Sequence, residues 1–409
     1  MELNFAAKII DALFRAKETL EKSRFSPNYF TRQRKMPFVD VLYFILNPAR
    51  ECLQVRLDNF VSAAGKPFER VSEQALSRAR NHFDHTPFEK AAHELVLKEY
   101  SGDYPLPTMN GYHILVADGS IAPLPSDPAL FEEYGKVNSA AASPALGISL
   151  LTDVLHHFVL DASPNHARFA ERPALLDHAR YLRECLPHIA DKSLILLDRG
   201  YASADVAESL DRMNIKFLAR CPSTWNALKS APMGRSTRSL KNGLRVQVFK
   251  FFLPSAEVET LITNAFDLLE IGPLYRLRWG IEGRFDTLKN KIQLENFTGK
   301  TKNAILQDFW ASVTLANLAA IAFNQAHDIA DDQRILADNR YTYIPNISQM
   351  IASFKDDFII ACSSGSTLLI NRIIRRVAKA VVPVRPGRHF PRKNGIKKRQ
   401  FPINRKTNA

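Results

Sequence analysis

Three carboxylates in this sequence fall where a chain could gather them into one site. Tyr112-His-Ile-Leu-Val-Ala reads as a short buried strand that runs into Asp118-Gly119-Ser120, and Ser193-Leu-Ile-Leu-Leu reads as another that runs into Asp198-Arg-Gly200. Glycine just past each aspartate lets the backbone turn sharply at a strand mouth. The third carboxylate, Glu282, lies on a long helical pattern. Oxygen-only clusters of this kind suit Mg²⁺ or Mn²⁺. Two such ions about 3.5–4 Å apart can activate an attacking water or 3′-hydroxyl and stabilise the leaving oxygen of a phosphodiester. Taken singly, a strand-end aspartate serves equally well as a turn or helix-cap residue.

The helix expected around residues 275 to 292 adds cations to the carboxylates. Tyr275, Arg278, Glu282 and Lys289 stand at offsets of three, seven and fourteen residues. In a uniform α-helix they share a stripe roughly 60° wide. Leu274, Ile281, Phe285, Leu288 and Ile292 form an apolar stripe beside them, which places the polar stripe at the edge of the core. Glu282 can then be shielded yet reach an ion, while Arg278 and Lys289 grip anionic groups. The plainer reading of the same spacing is an exposed helix held by pairs such as Arg278 with Glu282, each worth about 0.2–0.5 kcal/mol.

The elements that must position these residues fall into three segments. Residues 1–105 read as helices over Glu2–Glu21, Pro37–Leu46, Ala49–Ala63 and Ser72–Phe83, with turns at Ser26-Pro27, Asn47-Pro48 and Gly65-Lys66-Pro67. Arg24, Arg32, Arg34, Lys35, Arg70, Arg78 and Arg80 suit this module to phosphate contacts more than to base readout. Residues 106–330 give three strands (near 112–117, 146–151 and 155–160), a helix over 168–186, strand 193–197, a helix over 202–213 and strand 216–220. This order predicts an α/β fold, a mixed sheet flanked by helices with both aspartates at one crevice. A β-rich insertion is expected at about 221–268, with strands 244–253 and 258–264, before helices starting near Ile271 and spanning Ala304–His327. Residues 331–409 form a C-terminal region whose tail carries Arg385, Arg388, Arg392, Lys393, Lys397, Lys398, Arg399, Arg405 and Lys406 with no acidic residue.

Composition bounds the partner. A chain of 409 residues, 46% hydrophobic, can bury a sizeable core, and its net charge of +13 supplies sequence-independent attraction to phosphate backbones. Cys52, Cys185, Cys221 and Cys362 are scattered, which suggests neither a disulfide framework nor a zinc ribbon. His156, His157, His166 and His178 lack metal-ligand spacing. No Gly-rich phosphate loop or Gly-x-Ser-x-Gly elbow occurs, so neither nucleotide use nor a serine nucleophile is expected. The N-terminus carries charge in every turn, unlike a signal peptide, and the apolar stretch Trp310–Phe323 is shorter than the ~20 residues of a membrane span. A cytoplasmic protein without membrane contact is expected.

Asp118-Gly-Ser, Asp198-Arg-Gly-Tyr201 and Tyr275-x-x-Arg278-x-x-x-Glu282 with Lys289 seven residues on resemble the signature of the IS4 family of bacterial insertion-sequence transposases, including its Y-R-E-K motif. Phe30-Thr-Arg-Gln-Arg-Lys-Met-Pro37 and Val71-Ser-x-Gln-Ala75 are similar to the N-terminal region of these proteins, so the resemblance covers nearly the whole chain. It implies a ribonuclease-H-like catalytic core with a β-rich insertion after a helical DNA-binding domain. By carry-over, Asp118, Asp198 and Glu282 are the catalytic, metal-binding triad for two Mg²⁺ or Mn²⁺ ions. Tyr275, Arg278 and Lys289 contact DNA phosphates near the cleaved end. The implied partners are double-stranded DNA, as terminal inverted repeats and target, and a second copy of the chain, all at the bacterial nucleoid. In relatives with hairpin intermediates an aromatic residue of the insertion stacks on a flipped base, and Trp225 is the candidate here, with a plain core or surface role as its alternative. A DNA-binding repressor or remnant without cutting activity, and a nuclease that cleaves without joining, are the alternatives to a transposase.

Overall fold

The structure is a computed structural model. It describes all residues except 33, 48–51, 64–68, 103, 223, 254, 293, 335–342 and 385–409. The expected turns at Pro48 and 65–67 and the basic tail from Arg385 lie outside the described residues.

The chain begins with helices. In place of one helix over 2–21 it forms α1 (Leu3–Arg15) and α2 (Lys17–Ser23), broken at Ala16, whose backbone is extended. The apolar stripe Leu3, Ala6, Ile10, Phe14 ends at the break, and α2 buries only Thr19 and Ser23. There follow α3 (Phe38–Leu46), α4 (Leu53–Ala63) and α5 (Glu73–Arg80), the last capped by Ser72, whose Oγ accepts from Ala75 N at 3.2 Å. Then α6 (Thr86–Tyr100) starts where Asp84 Oδ1 accepts from Thr86 N at 2.9 Å, a cap that hydrophobic periodicity alone does not signal.

Next come β1 (His113–Pro123), α7 (Pro128–Tyr134), β2 (Ala145–Asp153), β3 (Val159–His166), α8 (Glu171–Cys185), α9 (Pro187–Ala190), β4 (Ser193–Leu197), α10 (Ala204–Arg212) and β5 (Lys216–Arg220). The expected order of three strands, helix, strand, helix, strand is observed with two additions, α7 between β1 and β2 and the short α9 before β4, and with the third strand at Val159–His166 in place of 155–160. Every residue of β2 and β4 is buried, as the apolar run Leu194–Leu197 of β4 requires; in β2 the burial extends to the polar Ser149, Thr152 and Asp153. After α11 (Asn226–Lys229), β6 (Gly234–Ser239), β7 (Arg245–Phe252) and β8 (Val258–Thr263) do not form a separate sheet. They extend the main one, in the order β3-β2-β1-β4-β5-β8-β7-β6. β1, β4 and β5 run parallel, and β5, β8, β7 and β6 pair antiparallel, giving a mixed sheet.

The helix expected near 271–292 is segmented. α12 (Gly272–Arg276) passes into a 3₁₀ turn at Leu277–Trp279, then α13 (Gly280–Asp286), then a π-helical turn at Thr287–Lys291. A 3₁₀ turn has three residues per turn and a π turn closes i→i+5 bonds, so a uniform rotation per residue does not hold along 275–289. The apolar face survives: Leu274, Ile281, Phe285, Leu288 and Ile292 are all buried. The remaining elements are α14 (Lys302–Arg334), β9 (Tyr343–Pro345), α15 (Ile347–Ser353), a π turn at Phe354–Phe358, α16 (Ile359–Ser364), α17 (Thr367–Lys379) and β10 (Val381–Pro383). α14 is long and apolar enough to cross a membrane by composition, but 94% of its most apolar window is buried in the protein, as in a core helix.

The chain gathers into two compact units that are not consecutive in sequence. One holds residues 1–95, 123–145 and 287–409, the other 96–122 and 146–286. In the first, α1 and α14 are joined by Leu3 N donating to Gln325 Oε1 at 3.0 Å. Arg80 ties α5 to α14 there: its guanidinium donates to Gln307 Oε1 at 2.7 Å, Ala304 O at 2.7 Å and Asp308 Oδ1 at 2.8 Å. Only 6% exposed, Arg80 is a buried structural cation and not the surface phosphate contact that its place among the N-terminal cations suggests. Arg32, Arg34, Lys35 and Arg78 are exposed.

Candidate active site

In the second unit the sheet brings two of the carboxylates together. β1 pairs with β4 in parallel register from His113↔Ser193 to Val116↔Leu196. Asp118 lies two residues past the end of that ladder on one strand and Asp198 two residues past it on the other. Adjacent strands are about 4.8 Å apart, so two side chains 80 positions apart in sequence become neighbours. Unlike the expected strand terminus, Asp118 lies within β1, which continues to Pro123 after its pairing with β4 stops. Asp198 follows β4 directly. Each carboxylate is fixed by a local bond: Asp118 Oδ1 accepts from Gly119 N at 2.8 Å, and Asp198 Oδ1 from Gly200 N at 2.7 Å.

Arg278, on the 3₁₀ turn, brings Nη1 to 4.0 Å from Asp118 Oδ2, with both side chains largely shielded from solvent. Tyr275 donates its hydroxyl to Leu197 O at 3.2 Å, which anchors α12 to the end of β4 beside Asp198. Glu282 stands exposed on α13. That helix is held to the turn between β2 and β3 by half-buried Arg284, whose guanidinium donates to His157 O at 3.2 Å and whose pKa desolvation lowers to about 10. Lys289 belongs to the first unit, where it pairs with Glu295 at 3.1 Å.

A fourth acid joins the aspartates. Glu171, in the first turn of α8, is close enough to raise the Asp118 carboxyl, and Asp198 in turn raises Glu171. Burial is the larger cause in both cases. With Asp198 and Glu171 adding like charge, and the Gly119 N–H and Arg278 only partly offsetting it, burial pushes Asp118 up to about 6. Tyr201 completes the group. Its ring is 1% exposed, its hydroxyl has no hydrogen-bond partner, and its phenol is raised by burial, then by Glu171, Asp118 and Asp198. A cleft of about 680 Å³ opens here, lined by Gly119, Ser120, Phe169, Glu171, Arg172 and Gly200.

These residues fit a hard divalent cation: the donors are carboxylate oxygens, their mutual repulsion is only partly offset by Arg278 and the Gly119 N–H, and a buried hydroxyl lacks a partner beside them among the described residues. Among the described residues no three Asp, Glu, His or Cys side chains are gathered closely enough to enclose an ion.

Sequence reasoning passed over Glu171, because an acid in a first helical turn is an ordinary capping feature. Tyr201 entered it only as the end of a motif. His156 and His178 are structural. His178 bonds Asp161 Oδ2 through Nδ1 at 2.6 Å and Ser149 Oγ through Nε2 at 2.9 Å, while His156 Nε2 meets Glu99 Oε1 at 2.5 Å. Although Asp161, His178 and Ser149 are linked in the order of a nucleophilic triad, Ser149 is fully buried and no substrate can reach it. Trp225 is half-buried at the start of α11.

A family model described as "Transposase DDE domain" matches residues 110–318, the stretch that contains Asp118, Asp198 and Glu282. Among solved structures, the cryo-EM structure of a piggyBac transposase synaptic complex with hairpin DNA is similar, with a TM-score of 0.51 and 12% identity over 93% of this chain and 86% of that one. At that identity the likeness is one of fold. No curated protein matches the chain.

Proposed function

The chain belongs to the transposase DDE domain family, and on that footing we propose that it is an IS4-type DNA transposase, cutting at the ends of an insertion sequence and joining them to target DNA. The observation that carries this reading is the β1–β4 register, which sets Asp118 beside Asp198 with Arg278 facing them.

In this reading Asp118 and Asp198 hold Mg²⁺ or Mn²⁺, with Glu282 as the third carboxylate. The bound ions supply Lewis acidity toward the scissile phosphodiester and lower the pKa of the attacking water or 3′-hydroxyl. Burial of Asp118 keeps the site at low dielectric, where each charge acts more strongly. Arg278 holds a phosphate oxygen close to the aspartates. Tyr275, bonded to Leu197 O, sets the distance between that arginine and the β4 terminus. Lys289 grips a phosphate farther along the end.

The ligand is double-stranded DNA, first the terminal inverted repeats and then the target, bound through exposed N-terminal cations such as Arg32, Arg34 and Arg78 and through the basic tail. A homodimer brings two ends together. With a net charge of +13, salt-dependent binding at the nucleoid follows.

The deciding experiment is cleavage of a labelled duplex carrying the element's ends, with Mg²⁺, Mn²⁺ or EDTA. Wild type should cut and join in either metal, and Asp118→Ala, Asp198→Ala and Glu282→Ala should each lose cutting while still binding DNA. A variant that still cuts removes its residue from the triad. Cutting without joined products points to a nuclease, and tight binding without cutting in any metal points to a repressor.

A further inference from the structure

Glu171 is placed at the aspartates by a floor that has no side chains. A Cβ on Gly119, the residue after Asp118, would lie 2.7 Å from Glu171 Oε1 and 3.1 Å from Phe169 Cζ. A Cβ on Gly200, two residues after Asp198, would lie 3.4 Å from Glu171 Oε2 and 3.2 Å from Asp198 Oδ1. One carboxylate thus reaches both glycines. Its two oxygens point toward the two strand ends that carry the aspartates, and any side chain at position 119 would collide with it.

The helix that carries Glu171 is pinned to the same sheet. Arg172 Nε donates to Gly200 O at 2.9 Å, which fastens the first turn of α8 to the loop after Asp198. Two turns on, His178 bonds Asp161 on β3 and Ser149 on β2. Side chains held by two such anchors keep their place to within the tolerance an ion site needs. An independent observation marks a ligand position here: Tyr201, 1% exposed, leaves its hydroxyl without a partner within the field of Glu171, Asp118 and Asp198. A buried O–H beside three carboxylates is expected to donate to an oxygen in that space, such as a carboxylate drawn inward or a water on a cation.

We propose that Glu171 is a further cation-binding residue of this site, its carboxylate drawn in with those of Asp118 and Asp198 when a divalent ion binds, since in the free protein the three do not yet enclose one. The inference rests on the transposase reading for the ion's presence, while the residue is assigned by the glycine floor. Gly119 and Gly200 then have a role beyond turning the chain, namely to let a side chain from α8 reach the strand ends.

The test is Mn²⁺ binding to the full-length protein, read from the electron paramagnetic resonance signal of the free ion, with unfolding temperatures measured with and without Mn²⁺. Glu171→Gln should weaken Mn²⁺ at least about tenfold or remove one bound ion, as loss of a ligand or its close support does. Its unfolding temperature without metal should equal or exceed that of wild type, since the change removes a like charge from the group, and the rise given by Mn²⁺ should shrink. Glu171→Asp should recover part of the affinity. Gly119→Ala, which leaves Glu171 in the chain but displaces its carboxylate, should weaken Mn²⁺ as well and serves if Glu171→Gln does not fold. If Glu171→Gln and Gly119→Ala bind Mn²⁺ like wild type while Asp118→Asn does not, the assignment of Glu171 is overturned and the aspartate site stands. If Asp118→Asn binds Mn²⁺ like wild type, or wild type binds none, the metal-site reading falls and Glu171 with it.

Discussion

Arg278 Nη1 and Asp118 Oδ2 stand 4.0 Å apart across a partly shielded gap, a cation facing the carboxylate that most needs one. The arginine thus serves Asp118 in the free protein and is positioned to serve a phosphate when DNA arrives. Arg278→Ala should reduce cleavage by about two to three orders of magnitude, the scale on which removing one preorganised electrostatic contact acts. It should also lower the salt slope of end binding by about 1. Cleavage rates and binding isotherms at three salt concentrations measure both effects, and an unchanged slope would return Arg278 to a purely intramolecular role.

Asp118 imposes a pH signature on stability. Its folded pKa of about 6 lies above the ordinary 3.8, so the folded state holds the proton more tightly than the unfolded chain. The associated stability is fully present below about pH 4 and is lost as pH rises through 6. Asp118→Asn, which cannot ionise, should therefore unfold at a higher temperature than wild type at pH 7.5 without divalent metal, with the gap closing toward pH 4. Thermal scans across that range check it, and a gap independent of pH would contradict it.

Tyr201→Phe removes a buried hydroxyl that has no partner. Leaving such a group unsatisfied costs about 1–3 kcal/mol, so its deletion should leave the metal-free protein as stable as wild type or more so. Cutting should slow nonetheless, since the hydroxyl lies within the field of Glu171, Asp118 and Asp198. A clear loss of metal-free stability, seen by urea titration, would show that Tyr201 is satisfied in solution.

Arg80→Ala should be the most damaging of these changes. It strands Asp308, 4% exposed, without its cation and leaves Gln307 and Thr298 short of partners. Breaking a buried pair from one side costs about 3–5 kcal/mol. Insoluble expression, or a urea midpoint shifted by that amount, is expected, whereas Arg78→Ala on the exposed face of the same helix should unfold like wild type and lose only DNA affinity.

These differences mark what the sequence carries. β4 and β5 occur at 193–197 and 216–220 as expected, because an apolar run bounded by turn residues has one way to be buried. Asp118 and Asp198 were legible for the same reason: each follows such a run. Glu171 was not, since its meaning comes from two glycines on other segments that leave room for it. The 3₁₀ and π turns between Leu277 and Lys291 escaped notice because the apolar residues from Leu274 to Ile292 keep one face buried whichever way the intervening turns close. Arg80 looked like its exposed neighbours until α14 supplied Asp308 and Gln307, more than 220 positions away.

The interleaving of the two units bears on how the protein is made. The helices of residues 1–95 bury Leu3, Ile10 and Phe14 in a unit whose central helix, α14, begins at Lys302. At about 5–20 residues per second, a ribosome needs roughly ten to forty seconds to traverse the intervening segment. Throughout that time the N-terminal helices have no α14 to pack on, and β1, β4 and their aspartates are all made before it. A nascent chain of this kind offers apolar surface to chaperones early and gains its Arg80–Asp308 lock late. The lifetime of the helical unit's precursor, rather than assembly of the acidic site, should limit the yield of active protein in the cell.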